Sequence, residues 1–541
     1  YFWLIPYIMV SKEDSSMASN IIQNLEPQNG SSTHNDINKL VDADFIASLF
    51  NLNTTNIQSL HCINDPQTAS VNVHVTLTPT YPACPGCGAP PHIKGYRIKK
   101  INHSALNHLK STILYRERRY KCPACGKTFC APDPFKDEYL KQSSLTSINI
   151  LTCLKESCMT MTQVARQNNV STTTVANTFD LYVDIPRKTL PKFLCIDEVY
   201  AFKSNNSKYV CVLLDYKNRV PIEILPSRHY SELAKFFSNI PKEERDQVHV
   251  FSSDMWESYQ SIAKVYLPNA LCIIDRFHVQ SECNKRLDHI RLQIQNGLSR
   301  SSNEYYLIKH FNWLLYSNDD EILDQNRKKK YNKKLKQYLN YYDIKCLLQK
   351  THPNLEVAIN LKDALAFYYD GIKIIEDDSN HQKEEIPELK KKYDGSYSKR
   401  NLKLINDIKK RNHKRSLSEK EALSELEELI KKFRECDIVE MSSFASTLNK
   451  WKMEIVNSLR IYSELNYRTV SNAIIENRNK IIKNVKHNSN GYHNWNRFRN
   501  RLMYVLDPDA GHRIIPNPLM VEMKRTLNKK NYELWKERHH D

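Results

Sequence analysis

The sequence lacks any apolar run that could cross a membrane, since no segment approaches the roughly 20 consecutive apolar residues that a bilayer requires. The apolar opening YFWLIPYIMV is ten residues long. No basic residue precedes it and no clear small-residue cleavage site follows it, which argues against a signal peptide. The chain begins with Tyr1, and we expect translation to start at Met9 or Met17. An internal repeat of the solenoid type is also missing.

A disulfide framework is missing as well. The chain has 14 Cys, of which four form two close pairs and the others are scattered. Cys195, Cys211 and Cys272 lie inside apolar runs typical of strands. We therefore interpret the scattered thiols as small buried hydrophobic side chains in a reducing compartment.

Acidic residues are too few to balance the basic ones. The 541 residues carry a formal net charge of +18, and the isoelectric point is near 9.1. A chain of this length predicts three or four domains, and its charge favours a polyanionic partner. The charge is also compatible with a soluble, Lys-rich protein from an AT-rich genome.

The residue pattern predicts a multidomain α/β protein. Residues 190–285 alternate strand and helix in the order three strands, helix, strand, helix, strand, which is the order expected of a ribonuclease-H-like core. Helical periodicity then predicts a large all-helical insertion, with a polar linker or insert near 373–435. The expected parts are a disordered tail (1–40), an N-terminal region with a short helix and a ribbon (41–135), a helix-turn-helix (140–185), the first part of the core (190–285), the insertion (286–465), a last helical region of the core (466–507) and a C-terminal tail (508–541).

Two Cys pairs have the spacing of a structural zinc site. CPGCG supplies Cys84 and Cys87, and CPACGKTF supplies Cys122 and Cys125. The Gly of each knuckle permits a tight turn beneath the metal, and four thiolates can close a tetrahedral zinc site. The alternating segments HIKGYRIKK and STILYRERRYK can fill the gap between the pairs as strands. Cys130 lies close but lacks the spacing of a ligand.

The Cys pairs could also have a role without zinc. They could be reduced thiols in loops, or one of them could be a redox pair. Neither pair opens a helix of a thioredoxin-like unit, which disfavours a redox role. The second ribbon strand also offers Arg116, Arg118, Arg119 and Lys121 to phosphates, although these cations are equally typical of a solvated strand face.

The segment MTMTQVARQNNVSTTTVANTFDLY fits a helix-turn-helix. Val164, Ala165 and Val175 would pack the two helices, and Ser171 would cap the second. A plain helical hairpin has the same apolar spacing and remains the alternative. The residues expected to face a DNA major groove are Thr172, Thr173, Thr174 and Asn177.

Three acidic residues stand where a sheet and a helix would bring them together. Asp197 closes FLCID, Asp254 closes VHVFSSD, and Glu476 lies within SNAIIENRNKIIKNVK. The first and fourth strands of a ribonuclease-H-like sheet are neighbours, so Asp197 and Asp254 should converge. Close carboxylates raise each other's pKa unless a cation offsets them, and hard oxygen ligands suit Mg²⁺ or Mn²⁺. The alternative acids, which we rank lower, are Glu198, Asp215 and Glu257.

These motifs resemble one protein family. Residues 80–507 are similar to the DDE transposases of bacterial insertion sequences, specifically the ISL3 type with its N-terminal zinc ribbon. The resemblance rests on CPGCG…RRYKCPACGKTF, IDE, SSDMWESY, DRFHV, RLDHIR and SNAIIENRNKIIKNVKHNSNGYHNWNRFRNR. In such proteins the last segment carries the third catalytic acid and its supports, and the matching positions are Asn472, Glu476, Asn479, Lys483, Gly491, Phe498 and Arg499. The DRFHV element resembles a D-x-x-H signature near the active centre, although a core-packed histidine remains the alternative for His278.

The resemblance implies a mechanism. Asp197, Asp254 and Glu476 would hold two Mg²⁺ (or Mn²⁺) ions, with Asp275, His278 and Lys483 as auxiliary residues. The protein would cut transposon ends in double-stranded DNA and join the 3′-hydroxyls to target DNA, as a homodimer on terminal inverted repeats. The ribbon zinc would be structural, the location cytoplasmic and nucleoid-associated, and the partners would not include a membrane.

Two further functions stay open. The chain could be a DNA-binding regulator derived from a transposase and retired from catalysis, although its acids are intact. It could also be a different nuclease on the same core, such as a resolvase or a ribonuclease, although those usually lack a large helical insertion.

Overall fold

A computed structural model describes residues 56–65, 70–104, 110–131, 133–137, 140–203, 207–317, 322–375, 386–390, 398–489 and 491–538. The predicted disordered tail (1–40) and the short helix before residue 53 lie outside these ranges. Residue contacts divide the chain into two units. The first comprises residues 1–149 and 166–170, and the second comprises residues 150–165 and 171–541.

The first unit is built on a five-stranded sheet. Its strands are β1 (Ile57–Asp65), β2 (Ser70–Leu77), β3 (His92–His103), β4 (Lys110–Lys121) and β5 (Thr128–Cys130). The order is β1-β2-β4-β3, with β5 paired to β4. Only the β2–β4 pairing within this sheet is parallel. Alternating side chains such as Val73, Ile101 and Ile113 form its core, because every second residue of a strand points to the same face.

Three helices follow the sheet in the sequence. They are α1 (Ser144–Lys155), α2 (Met161–Gln167) and α3 (Thr172–Tyr182). Asn169, in the turn between α2 and α3, adopts φ +53°, a conformation that Asn tolerates better than most residues. The Ser171 hydroxyl accepts a hydrogen bond from Thr174 N at 3.0 Å, which confirms Ser171 as the N-cap. Val164 and Val175 are fully buried, as expected.

The second unit contains a mixed five-stranded sheet. Its strands are β6 (Phe193–Tyr200), β7 (Tyr209–Asp215), β8 (Val220–Leu225), β9 (Val250–Ser253) and β10 (Leu271–Ile274). The order is β10-β9-β6-β7-β8. β6, β7 and β8 pair antiparallel, whereas β9 and β10 extend the sheet in parallel from β6. The order predicted for residues 190–285 is therefore confirmed, except that an additional four-residue helix (Lys242–Arg245) precedes β9.

Helices accompany this sheet and connect its strands. Between β8 and β10 lie α4 (Tyr230–Ser238), α5 (Lys242–Arg245) and α6 (Glu257–Tyr266). Leu194, Ile196, Phe237 and Ile262 belong to one buried cluster, which places α4 and α6 on the sheet face to which the even-numbered residues of β6 point.

A largely helical region follows β10. Its helices are α7 (Arg276–Gly297), α8 (Asn303–His310), α9 (Tyr341–Gln349), α10 (Pro353–Gly371), α11 (Lys399–Asn412), α12 (Glu419–Arg434), α13 (Val439–Lys450) and α14 (Lys452–Asn457), with single turns at Asn312–Leu315 and Ser463–Leu465. The expectation of an all-helical insertion was wrong in detail. The region also contains the hairpin β11 (Lys330–Asn332) and β12 (Gln337–Leu339), and the short strands β13 (Ile372–Ile375), β14 (Arg415–Ser416) and β15 (Arg460–Ile461).

Three helices complete the described chain: α15 (Ala473–Asn488), α16 (Trp495–Leu506) and α17 (Pro518–Arg538). The predicted C-terminal tail therefore contains a 21-residue helix. Much of the polar segment near 373–435 is also helical, because α11 and α12 lie within it and begin at the Ser398 and Ser418 N-caps. Across the described residues, no helix is both long and apolar enough to cross a bilayer.

Candidate metal centres and active site

The four paired cysteines converge at one end of the first sheet. Cys84 Sγ lies 3.6 Å from Cys125 Sγ, and Cys87 Sγ lies 3.5 Å from Cys122 Sγ. All four sulfur atoms lie within 4.8 Å of one another. A tetrahedral zinc ion with Zn–S bonds of about 2.3 Å would separate its sulfurs by roughly 3.8 Å. The donor set therefore fits structural Zn²⁺.

The two knuckles share one backbone geometry. Gly88 and Gly126 have φ +73° and +74°, which is the left-handed region that glycine adopts without strain. Gly88 N donates to Cys84 O at 2.8 Å, and Gly126 N donates to Cys122 O at 3.0 Å. Strands β3 and β4 fill the gap between the knuckles, as predicted. The protein thus contains a zinc ribbon.

A second cluster consists of carboxylates in the second unit. Asp197 lies within β6 rather than at its end, and Asp254 follows the last residue of β9. Burial raises the pKa of Asp197 to about 7, and the negative charges of Glu198, Asp254 and Glu476 act in the same direction. Burial also raises the pKa of Asp254 to about 7, with a further contribution from the charge of Glu198. The three acids expected to converge therefore lie close enough to interact electrostatically.

The carboxylates are more widely spaced than the cysteines. Groups of three or more His, Cys, Asp or Glu side chains can hold a metal ion. Among the described residues, the only such group whose donor atoms all lie within 4.8 Å of one another is that of the four ribbon cysteines. Repulsion between the negative charges of Asp197, Asp254 and Glu476 opposes closer approach. Carboxylate oxygens are hard donors of the kind that Mg²⁺ and Mn²⁺ prefer.

Helix α15 is held against the sheet by two asparagines. Asn479 Nδ2 donates to Asp197 Oδ2 at 2.8 Å. Ser252, on β9, donates its hydroxyl to Asn472 Oδ1 at 2.8 Å, and Asn472 is fully buried. Because Glu476 lies one helical turn from each asparagine, these bonds place its carboxylate on the side of Asp197. Lys483 lies on the same helix with its side chain exposed to solvent.

Asp275 caps the helix that leads into the insertion. Its carboxylate accepts a hydrogen bond from Phe277 N at 3.3 Å. Burial raises the pKa of Asp275, while the backbone N–H of Asn472 and the nearby His278 lower it. His278 Nε2 is buried without a hydrogen-bond partner among the described residues. Asp275 thus links the start of α7 to the start of α15.

Two further charged residues act on Asp254: Glu198, which sequence reasoning ranked lower as an alternative acid, and Arg228, which it did not name. Glu198 points to the sheet face opposite Asp197, as expected, but its charge still reaches Asp254. It accepts a hydrogen bond from Tyr259 at 3.1 Å and forms an ion pair with Arg228. The Arg228 guanidinium lies 4.2 Å from the Trp256 ring centroid and lowers the pKa of Asp254. No sequence signal marks Arg228, which lies in the loop between β8 and α4.

Arg499 anchors the end of the core. Its guanidinium forms two hydrogen bonds with Glu223 on β8, at 2.7 and 2.6 Å, and one with Ile185 O at 2.6 Å. The adjacent Phe498 stacks on Phe202 with 5.5 Å between ring centroids. Both residues, selected by the family resemblance, therefore hold α16 on the core. They contact Glu223, Ile185 and Phe202 and not the three acids Asp197, Asp254 and Glu476.

The predicted DNA-contacting residues divide into exposed and buried ones. Arg116 and Arg119 are exposed, whereas Arg118 is 4% exposed and donates to Gln58 Oε1 and Thr78 O at 2.8 and 3.1 Å. Arg118 therefore supports the sheet and is not available to a phosphate, because its guanidinium is buried against the Gln58 side chain and the Thr78 carbonyl. In α3, Thr172 and Thr173 are exposed, and Thr174 and Asn177 are half-buried.

Comparison with known protein families gives matches to the zinc ribbon and to the region that contains the second sheet. A family model described as the zinc-finger of transposase IS204/IS1001/IS1096/IS1165 matches residues 80–125. A model of the ISL3-type transposases, described as "Transposase", matches residues 194–414 and 409–502, more than half of the chain.

One curated relative is similar over a shorter stretch. The transposase for insertion sequence element IS1001 of Bordetella parapertussis is 26% identical over 132 residues. This match covers 24% of the chain and 32% of the relative, so the chain spans about a third of the length of the curated relative that it matches. The family model rests on a far longer stretch, and it shows that the chain belongs to the ISL3 family of transposases.

Proposed function

We propose that this protein is a transposase that cuts the ends of an insertion sequence in double-stranded DNA and joins the resulting 3′-hydroxyls to target DNA. The observation that carries the proposal is the convergence of Asp197, Asp254 and Glu476 from two strands and a helix distant in the sequence. The order and directions of β6–β10 support a ribonuclease-H-like core. In that core, the first and fourth strands are adjacent and bring the two aspartates together.

Asp197, Asp254 and Glu476 would hold two Mg²⁺ ions. Mg²⁺ bound there would activate the attacking oxygen and stabilise the leaving oxygen of the phosphodiester. Asn479 keeps the Asp197 carboxylate in place through its hydrogen bond to Oδ2. Asp275, His278 and Lys483 are proposed to assist from the edge of the site.

The N-terminal parts are proposed to recognise the terminal inverted repeats. Arg116, Arg119 and Lys121 would contact phosphates from the ribbon. If α2 and α3 form a helix-turn-helix, Thr172, Thr173, Thr174 and Asn177 would face the major groove. Two ends must be cut and joined, which favours a homodimer on DNA.

The proposal is tested by incubating the purified chain with DNA that carries the ends of its own element. Mg²⁺ should yield 3′-hydroxyl ends and joined products, whereas omission of the divalent cation should yield neither. Binding without any cleavage would favour the retired regulator. Cleavage without strand joining would favour a different nuclease.

Asp197→Asn should stabilise the metal-free protein. The pKa of Asp197 is near 7 in place of its usual value near 3.8, so this carboxylate lowers the stability of the fold as pH rises from 3.8 to about 7, because the unfolded chain ionises it more easily. Complete ionisation costs up to about 4 kcal/mol. At pH 8 without metal, we therefore expect the variant to melt several degrees above the wild type.

Added Mg²⁺ supplies the control for this prediction. Mg²⁺ should raise the melting temperature of the wild type and have much less effect on Asp197→Asn, because the cation offsets the charge that the variant lacks. The control Asp246→Asn alters a carboxylate that pairs with Lys242, away from the three acids, and should keep the full Mg²⁺ response. Equal Mg²⁺ responses of the wild type and Asp197→Asn would contradict the assignment.

A further inference from the structure

The insertion contains a basic hairpin that no part of the catalytic proposal uses. In the segment NRKKKYNKKLK (326–336), seven of eleven residues are Lys or Arg and none is acidic. Lys328, Lys330, Lys333 and Lys336 are all exposed. The strands β11 and β12 pair antiparallel within and just after this segment. The positive charge is thus concentrated on one short β-ribbon.

Side-chain hydrogen bonds order the turn of this hairpin. Asn332 Oδ1 accepts hydrogen bonds from the backbone N–H groups of Lys334 and Leu335, both at 3.1 Å. Lys336 has φ +55°, which closes the turn. Tyr331 and Tyr338 stand opposite each other across the strands, with ring centroids 5.1 Å apart. These contacts distinguish the hairpin from an unstructured run of solvated lysines.

Helix α8 supports the hairpin and extends its charge. Asn332 Nδ2 donates to the Tyr306 hydroxyl at 3.3 Å, and Lys334 Nζ donates to Ser301 O at 2.9 Å. Between the two elements lies an open cavity of about 440 Å³. Its lining contains no carboxylate and consists of Arg300, Tyr305, Tyr306, Lys309, His310 and Lys334.

We propose that the hairpin 327–338 and the cavity beside α8 form a binding site for the phosphate backbone of duplex DNA. Lysine and arginine supply the phosphate contacts of DNA-binding proteins, and the major groove admits a two-stranded β-ribbon. The exposed tyrosines, 53% and 68% accessible, provide flat surfaces for the sugars. Lys329 is held by Asp343 at 2.9 Å and stabilises the base of the hairpin.

The site adds to the proposed function and does not depend on it, because binding is measured without cleavage. The triple variant Lys328→Gln/Lys330→Gln/Lys333→Gln removes three exposed charges of the hairpin. Lys420→Gln/Lys431→Gln/Lys432→Gln removes the same charge from the exposed surface of α12. Binding of each to a fluorescent DNA duplex is titrated at several salt concentrations, with no divalent cation added.

The hairpin variant should bind at least about tenfold more weakly at moderate salt, and the slope of log K against log salt should fall by roughly 2 to 3, because each lost phosphate contact contributes roughly 0.9. The α12 variant should stay within about twofold of the wild type. Equal losses of duplex affinity in the hairpin variant and the α12 variant would contradict the proposed binding site. Hairpin-dependent binding to vesicles rich in phosphatidylserine, without such dependence for DNA, would also overturn it.

Two further variants guard against misfolding. Lys333→Gln changes only the turn, and Arg300→Gln/Lys309→Gln changes only the cavity. Each should keep the wild-type melting temperature and should weaken duplex binding in the same direction as the triple variant. Wild-type affinity in both, with the fold intact, would contradict the proposal even if the triple variant were unstable.

Discussion

Glu476→Gln should lower the rate of Mg²⁺-dependent strand cleavage by at least about 10³-fold, which corresponds to about 4 kcal/mol of transition-state stabilisation. Glutamine keeps the length of the side chain but removes the negative charge that would hold a divalent cation. The backbone of α15 should stay in place, because Asn472 and Asn479 still hold it on the sheet. The measurement is the single-turnover cleavage rate of an end-containing duplex at saturating protein.

Binding and a matched variant make this result specific. The affinity of Glu476→Gln for the same duplex, measured without divalent cations, should match that of the wild type. Glu257→Gln removes a carboxylate three residues after Asp254, but Glu257 is exposed and paired with Lys450, so this variant should cut at close to the wild-type rate. Cleavage by Glu476→Gln within about tenfold of the wild type would refute its role as a ligand of the catalytic ions.

Cys122→Ser should remove the ribbon zinc and unfold the zinc ribbon. Cys122 is fully buried and its sulfur lies 3.5 Å from that of Cys87. Binding of structural zinc contributes about 10–16 kcal/mol to the folding of small zinc domains, far more than a single hydrogen bond. The zinc content, measured by atomic absorption, should fall from one ion per chain to nearly none. Affinity for end-containing DNA should fall with it.

Cys130→Ser is the control for this experiment. Cys130 lies on β5, eight residues after Cys122 in the sequence, but does not belong to the cluster of sulfur atoms. The variant should retain one zinc ion per chain and full protection of the ribbon against proteolysis. Retention of zinc by Cys122→Ser would contradict the four-cysteine site. Loss of zinc from Cys130→Ser would show that the ligand set is different.

The elements that sequence reasoning predicted well are those with strong local signals. The doubled C-P-x-C-G knuckle needs glycine at a left-handed position, and both Gly88 and Gly126 occupy one. Ser171 before a helical pattern is a local N-cap signal, and its hydroxyl makes the expected bond. Strand alternation also has a short range, so the order of elements through residues 190–285 could be read directly.

Predictions that required the position of a side chain in three dimensions were less secure. Arg118 reads as a DNA-contacting cation, yet the folded protein buries its guanidinium against Gln58 and Thr78. The hairpin at 330–339 is too short to stand out from a lysine run. Arg228 lies in a short loop without a recognisable sequence motif, and only folding brings it to Glu198 and Trp256.

The sequence alone determined the ribbon ligands, the alternation of strands and helices, and which acids to consider, because each depends on spacing along a few neighbouring residues. Tertiary structure alone decided that Asn479 donates a hydrogen bond to Asp197, 282 positions away in the sequence. It also decided that the negative charge of Glu198 raises the pKa of Asp254, and that α8 supports a basic hairpin. Such contacts depend on which faces of distant elements pack together. That choice is made by the whole buried core and not by any local run of residues.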